Sequence, residues 1–140
     1  MPLIKLAETD EEIENCYPVM AELRPHLTSN EFFSQVKRQM SSSEFHLVYL
    51  DDDDVKAVAG IRFAEWLAAG KSLEIEDLVS MSGERSKGHG SSLFDWIVNL
   101  GKQRECSQLR LVSHVTRFGA HRFYLKKGMN IEAHYFSMTL

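Results

Sequence analysis

The sequence predicts a mixed α/β fold, and three features of its 140 residues support this class. Apolar residues recur at helical spacing in some segments and alternate with polar residues in others. Strand-like segments follow one another in the middle of the chain, which favours antiparallel pairing. A strand–helix–strand unit follows residue 73 and requires a parallel pair with a crossover helix. The predicted element order is β-α-α-β-β-β-α-β-α-β.

The N-terminal half combines a clear helix start with a hairpin. Thr9 and Glu12 form a capping-box sequence, in which the two side chains satisfy free amides of the first helical turn. Four aspartates at residues 51–54 predict a solvated hairpin turn, because the alternating ligands, glycine and later glutamate of a calcium loop are missing. The predicted elements are a strand at 3–7, a helix ending near Pro25, a helix at about 30–40, and strands at 45–50 and 55–63.

The C-terminal half alternates strands and helices. The segment 109–115 alternates in the manner of a strand, and Gly128 is placed to end a short helix. The predicted elements are strands at 73–81 and 109–115, helices at 91–104 and 120–127, and a final strand at 131–139.

Composition indicates one domain over residues 1–140, since 44% of residues are hydrophobic and 26% are charged. No apolar run approaches the length of a membrane span, and the N-terminus has no signal-peptide pattern. Cys16 and Cys106 are too few for a disulfide framework or a four-ligand zinc site, so we expect no metal and a cytoplasmic location.

Charge is divided unevenly along the chain. Residues 1–77 hold 7 Lys/Arg and 16 Asp/Glu, whereas residues 78–140 hold 9 and 4. The net charge of −4 disfavours a nucleic-acid partner, and no segment suits a membrane surface. The division suggests one cationic and one anionic ligand, although random surface charge explains it equally well.

A glycine-containing turn precedes the helix at residues 91–104. Glycines let the backbone approach a ligand closely, and the amides of a helix N-terminus attract anions. The spacing excludes both a Walker loop and a dinucleotide fingerprint, and taken alone the turn also suits an ordinary strand–helix connection. It reads Arg85-Ser86-Lys87-Gly88-His89-Gly90-Ser91.

Two motifs together carry a resemblance to a known family. The pattern Arg-x-x-Gly-x-Gly resembles the acyl-CoA pyrophosphate loop of the GNAT family of N-acetyltransferases. Residues 120–129 are similar to that family's Ala-x-x-Phe-Tyr-x-x-x-Gly-Phe signature, with Met129 in place of the usual aromatic residue. Residues 75–79 resemble diamine and glucosamine-phosphate acetyltransferases, and residues 121–125 resemble aminoalkylphosphonate acetyltransferases.

The resemblance implies a GNAT fold, with a mostly antiparallel mixed sheet of six or seven strands and about four helices. It implies transfer of an acetyl group from acetyl-CoA to a small primary amine, and a homodimer through the last strands is a further hypothesis. A protein or peptide acceptor and a non-catalytic acyl-CoA sensor are the alternatives. The residues that the resemblance assigns to acetyl-CoA are Leu78, Val79, Ser80, Arg85, Ser86, Lys87, Gly88, His89, Gly90, Ser91 and Arg117, where the family often has asparagine in place of Arg117.

The chemistry needs a base for the amine and an acid for the leaving thiolate. Glu76 and Asp77 are the base candidates, and Asp77 is preferred; since neighbouring strand residues point to opposite faces, we expect only one to face the cleft. The resemblance implies that Tyr124 faces the sulfur atom of CoA and acts as the general acid. As an alternative to catalysis, the two carboxylates could form a surface salt bridge. The alternative for Tyr124 is that it is an ordinary aromatic residue of the core. His114 is a weaker candidate.

The segment around the second helix also offers a substrate pocket. Phe32, Phe33 and Leu27 are candidates for its walls, although helical spacing alone favours an ordinary core role for them.

Overall fold

The computed structural model describes residues 2–140, apart from the side chains of residues 84 and 86. The chain divides into two compact units, Met1–Arg110 and Leu111–Leu140, and each is described by itself. A single domain over residues 1–140 stays a prediction. No helix within the described residues is long and apolar enough to cross a bilayer.

The element order agrees with the predicted one up to the last helix. The strands are β1 (Leu3–Leu6), β2 (Phe45–Asp52), β3 (Asp54–Trp66), β4 (Gly70–Ser80) and β5 (Gln108–Leu111). The helices are α1 (Asp10–Leu23), α2 (Ser29–Ser42), α3 (His89–Gln103) and α4 (Phe118–Lys126), and a short 3-10 helix spans Ser82–Lys87.

The strands form one sheet in the order β1-β2-β3-β4-β5. The first three pairs are antiparallel. The chain passes from β4 to the neighbouring β5 through α3, which is the crossover predicted from the sequence. The sheet is therefore mixed, and its five strands correct the expected six or seven.

The predicted strand at residues 131–139 is wrong, and that at 109–115 is shorter than expected. Residues 129–140 contain no strand, and the side chains of Ile131 and Phe136 are 79% and 88% exposed. A strand needs a neighbour that completes its hydrogen-bond ladder as well as apolar residues along its length. Periodicity alone does not supply that neighbour.

Capping boxes fix the start of both N-terminal helices. The predicted box is confirmed, since the Thr9 side chain accepts from the Glu12 amide and Glu12 accepts from the Thr9 amide. Thr28 and Glu31 form a second box that was not predicted. The two boxes satisfy amides that no helical carbonyl reaches, so both helices begin at defined residues.

The core of the first unit lies between α1, α2 and the sheet. Both cysteines are free; burial raises the pKa of the Cys16 thiol to about 12, which keeps it protonated and inert. Large side chains buried in this cluster include Ile13, Val19, Phe32, Phe45, Leu47 and Val58. Leu93, Phe94 and Ile97 are the buried large side chains of α3.

Glu12 ties α1 to the sheet as well as capping it. Its carboxylate accepts from the amides of Glu8 and Thr9, each at 2.9 Å, and from the Tyr49 hydroxyl at 2.6 Å. Lys5 Nζ lies 2.7 Å from it. The hydrogen bonds from Lys5 and then Tyr49 hold the pKa of Glu12 well below its usual range. Ionised Glu12 therefore stabilises the junction of β1, α1 and β2.

We predict that Glu12→Gln lowers the free energy of unfolding by about 1–2 kcal/mol at pH 7, because charge-assisted hydrogen bonds are lost while an acceptor remains. Glu31→Gln is the matched control, because the described hydrogen bonds of Glu31 are those of its capping box and include no lysine or tyrosine. This variant should change stability little. Because the folded pKa is depressed, the stabilisation is fully present above the unfolded pKa of about 4.3 and is lost progressively as pH falls from there through the lower folded pKa. Urea unfolding of both variants at pH 7 and pH 3.5 tests this; equal effects at both pH values would contradict it.

Candidate active site

A cavity of about 320 Å³ opens between the first two helices and the sheet. Its apolar wall consists of Met20, Leu27, Phe32, Val36, Phe45 and Leu47. Two of the three predicted wall residues are therefore in place, whereas Phe33 packs against the core instead. The size is at the lower end for small-molecule sites.

A bulge in β4 places two neighbouring acidic residues, Glu76 and Asp77. Gly60 pairs with Asp77, but the next residue, Ile61, pairs with Ile75, so Glu76 is an extra residue in the ladder. A β-carbon on Gly60 would overlap Oδ2 of Asp77, which places that carboxylate over the glycine. The sheet face that carries Gly60 therefore also holds Asp77.

The bulge also corrects the expected alternation of the two carboxylates. Arg62, two residues after Gly60 and on the same face, binds Glu76. Glu76 and Asp77 consequently lie on one face, because the bulge interrupts the regular two-residue period. Only Asp77 borders the cavity.

Asp77 is a half-buried carboxylate with a single ionic partner among the described residues. Arg24 Nε donates to its Oδ1 at 2.9 Å, and the Asp77 side chain is 18% exposed. Burial raises the pKa of Asp77, and the charge of Arg24 opposes that rise. Burial therefore has the larger effect on the pKa of Asp77, and the cation beside it has the smaller, opposite one.

Glu76 has a different environment. Arg62 Nε donates to Oε2 at 2.6 Å and Arg62 Nη2 donates to Oε1 at 3.2 Å. Arg62 also donates to the Ser43 hydroxyl and lies over the Phe45 ring. Both oxygens of Glu76 are therefore held by one guanidinium, which is the arrangement of a structural ion pair.

The sequence did not single out Arg24, Arg62 or Gly60. No local pattern connects Arg24 with Asp77, because 53 residues separate them. Gly60 did carry a usable signal, since a glycine inside an apolar strand often marks a bulge or a close approach.

The glycine turn follows directly after β4. Gly88 has φ of +80°, a conformation that favours glycine, and it precedes the first residue of α3. A β-carbon on Gly90 would make an ordinary contact with Ser80 at 3.8 Å, whereas one on Gly88 would meet nothing within 4 Å, so the open space lies at Gly88. The amides at the start of a 15-residue helix are directed at this space, and this geometry suits an anion.

Arg85 is connected to α1 across the turn. Its Nε donates to the Ser80 carbonyl at 3.3 Å and its Nη2 lies 3.4 Å from Glu22, which also accepts from the Ser82 amide at 3.0 Å. Lys87 is exposed, and the side chain of Ser86 lies outside the described residues.

The remaining predicted contacts of this region are spread along β4 and α3. Leu78, Val79 and Ser80 pair with β3 through Ala59, Val58 and Ala57. The His89 ring is buried, with Nε2 3.4 Å from Asp52, so only its backbone is directed at the turn. Ser91 lies in the first turn of α3.

The second unit holds the predicted acid. Tyr124 is buried on α4; burial raises the pKa of its hydroxyl, and a hydrogen bond with Arg117 opposes the rise. Its hydroxyl is accordingly protonated near neutral pH. His114 bonds to Thr116 at 2.8 Å and its carbonyl accepts from His121 at 2.9 Å, both within this unit. No group of three or more His, Cys, Asp or Glu residues in the described part of the chain is arranged to hold a metal ion.

We predict that Gly60→Ala lowers the free energy of unfolding by about 1–3 kcal/mol, because the added methyl group meets Asp77 and lies 3.0 Å from the Phe45 ring. Gly101→Ala is the matched control: its methyl group would make an ordinary 3.6 Å contact with Leu73, and alanine is the better helix former. It should leave stability equal or raise it by up to about 1 kcal/mol.

A double-mutant cycle tests whether contact with the Asp77 carboxylate causes the loss of stability in Gly60→Ala. If the carboxylate is what the methyl group meets, Gly60→Ala should cost at least about 1 kcal/mol less in an Asp77→Ala background. Additive effects in denaturant unfolding would show that Gly60 does not provide the space for Asp77.

Comparison with known proteins identifies the family. The model of the Acetyltransferase (GNAT) family matches residues 6–129. The chain is 30% identical over 135 residues to the uncharacterized N-acetyltransferase YhdJ of Bacillus subtilis (strain 168), covering 95% of each.

Solved structures share the fold. A GNAT family acetyltransferase of Staphylococcus aureus superposes with a TM-score of 0.82 at 16% identity, covering 99% of this chain and 98% of that one. A ribosomal-protein-alanine N-acetyltransferase of Brucella melitensis gives 0.84 at 11%, and a transcriptional regulator of Bacillus halodurans C-125 gives 0.81 at 21%; both comparisons cover 100% of each chain. The family match over residues 6–129, together with the relative at 30% identity, shows that the chain belongs to the GNAT family and is an N-acetyltransferase.

Proposed function

We propose that the protein transfers the acetyl group of acetyl-CoA to a small primary amine by direct attack, with Asp77 as general base and Tyr124 as general acid. The observation that carries this proposal is the position of Asp77. It is the one carboxylate among the described residues lining the cavity, and β4 runs from it into the glycine turn. An acceptor in the cavity would be next to both a base and a phosphate-binding turn.

The proposed reaction uses few groups. Asp77 takes a proton from the ammonium form of the acceptor, and the neutral amine attacks the thioester carbonyl. Backbone amides stabilise the oxyanion of the tetrahedral intermediate. When the C–S bond breaks, the CoA thiolate takes the proton of Tyr124. The second proton of the amine leaves as the neutral amide forms and restores the tyrosine, and Asp77 releases its proton to solvent. The assignment of Tyr124 rests on the Phe-Tyr signature of the family.

The environment of Asp77 supports its role over that of Glu76. Its Oδ1 is held by Arg24, while Oδ2 has no hydrogen bond to the described residues, whereas both oxygens of Glu76 are occupied. Burial raises the pKa of Asp77, which strengthens it as a base.

The acetyl-CoA contacts remain part of the proposal. The backbone of Leu78, Val79 and Ser80 would bind the pantetheine arm, and the turn from Arg85 to Ser91 would bind the pyrophosphate.

Two observations favour a small-amine acetyltransferase over the alternatives. A sensor without turnover would not need a half-buried carboxylate beside the cavity, and a cavity of about 320 Å³ favours a small acceptor over a peptide. We place this activity in the cytoplasm, because both cysteines are free.

We predict that acetyl-CoA raises the melting temperature of the protein, since a ligand of the native state stabilises it by mass action. Gly90→Val should abolish the shift while preserving the fold, because the nearest neighbour of a β-carbon there is 3.8 Å away. Gly119→Val, at a second position where a β-carbon meets nothing closer than 3.9 Å, is the control and should retain the shift. No shift in the wild type at millimolar acetyl-CoA would refute the proposal.

We predict that Asp77→Asn lowers kcat by roughly 10²-fold, the usual scale of general-base catalysis, while acetyl-CoA binding is retained. Glu76→Gln should lower stability and leave kcat within about threefold. Because Asp77 acts in its ionised form, kcat/KM of the wild type should fall as pH drops through its raised pKa, and Asp77→Asn should remove that limb. Rates near wild type for Asp77→Asn would exclude it as the base.

A further inference from the structure

The charges around the cavity are balanced rather than acidic. Its described lining contains three ionisable side chains, namely Arg24, His26 and Asp77. The positive charge of Arg24 equals the negative charge of Asp77. An acceptor carrying only positive charge would gain little net attraction from this wall.

Arg24 is held in a fixed orientation at the cavity. Its backbone amide donates to the Met20 carbonyl at 2.8 Å at the end of α1. Its Nε donates to Asp77 at 2.9 Å and its Nη2 donates to the Glu76 carbonyl at 3.2 Å. A planar guanidinium held at two of its nitrogens is preorganised for a further anion.

One edge of that guanidinium remains available. Nη1 of Arg24 has no hydrogen bond to the residues that the structure describes, and the side chain, which lines the cavity, is 40% exposed. Two neutral amides, Gln35 and Gln39, line the same cavity and bond to each other at 2.9 Å. Together with Arg24, these amides give the cavity that Asp77 lines several hydrogen-bond donors for an anion.

We infer that the acceptor is a small zwitterion, in which Arg24 binds an anionic group while Asp77 faces the amine. The inference rests on the proposed function and narrows its substrate class. Since Arg24 and Asp77 touch, the amine and the anion of the acceptor are separated by only a few bonds. The apolar wall formed by Leu27, Phe32 and Phe45 contacts the carbon skeleton.

Matched acceptors test the charge requirement. Propylamine, 1,3-diaminopropane, 3-aminopropanoate and 3-aminopropanesulfonate share a three-carbon chain and differ in the end group: neutral, cationic, carboxylate and sulfonate. Release of CoA thiol from acetyl-CoA gives kcat/KM for each. We expect the two anionic acceptors to exceed propylamine by about 10- to 100-fold, the scale of a charge-assisted hydrogen bond. The ratio between the carboxylate and the sulfonate shows which anion the site prefers.

Two arginine variants test whether Arg24 causes the preference for anionic acceptors. Arg24→Gln should reduce the ratio of kcat/KM for 3-aminopropanoate to that for propylamine by about tenfold or more, whatever it does to the absolute rates. Arg38→Gln removes an exposed arginine on α2 outside the cavity and should leave the ratio unchanged. If Arg24 only supports Asp77, both rates fall together and the ratio stays constant, which overturns the inference.

Other outcomes separate this inference from the proposed function. Equal or faster acetylation of propylamine or 1,3-diaminopropane by the wild type would overturn the zwitterion while leaving a small-amine acetyltransferase. If acetyl-CoA raises the melting temperature but none of the four amines is acetylated, the small-amine proposal fails and the inference fails with it.

Discussion

The ion pair between Arg24 and Asp77 is the contact on which the cavity depends. A carboxylate taken out of water costs several kcal/mol unless a cation and hydrogen bonds replace its hydration. Arg24 supplies both from the end of α1, and Gly60 supplies the space, because any side chain there would displace the carboxylate. The end of α1, the bulge in β4 and the missing side chain at residue 60 therefore together determine where the carboxylate of Asp77 lies.

Two neighbouring acids on the same strand acquire different properties through their partners. Arg62 holds both oxygens of Glu76 in a fork, whereas Arg24 holds one oxygen of Asp77. The bulge makes this possible, since it brings both carboxylates to one face, where each reaches a separate arginine. The role of each acid is therefore determined by its surroundings and not by its residue type.

Local signals predicted most of the fold, and long-range contacts account for what was missed. The Thr9 capping box and the left-handed Gly128 that ends α4 follow from rules that act over a few residues. The strand expected at 131–139 failed because pairing depends on a distant neighbour. In the candidate site, the motif singled out Asp77 as a candidate base, but its ion pair with Arg24 joins residues 53 positions apart. The charge of the N-terminal half likewise suggested a cationic ligand, whereas the cavity wall is balanced.

In the free protein, the charge of Arg24 and the burial of Asp77 change the pKa of that carboxylate in opposite directions. A bound acceptor with an anionic group would weaken the first effect and strengthen the second. The charge of Arg24 lowers the pKa of Asp77 against the effect of burial. An anion bound at the free edge of the guanidinium would offset part of that charge and exclude water from the cavity. Both changes raise the proton affinity of the carboxylate. A zwitterionic acceptor would therefore leave Asp77 a stronger base than would an amine of the same size without the anionic group, because both bring the same ammonium but only the zwitterion offsets the charge of Arg24.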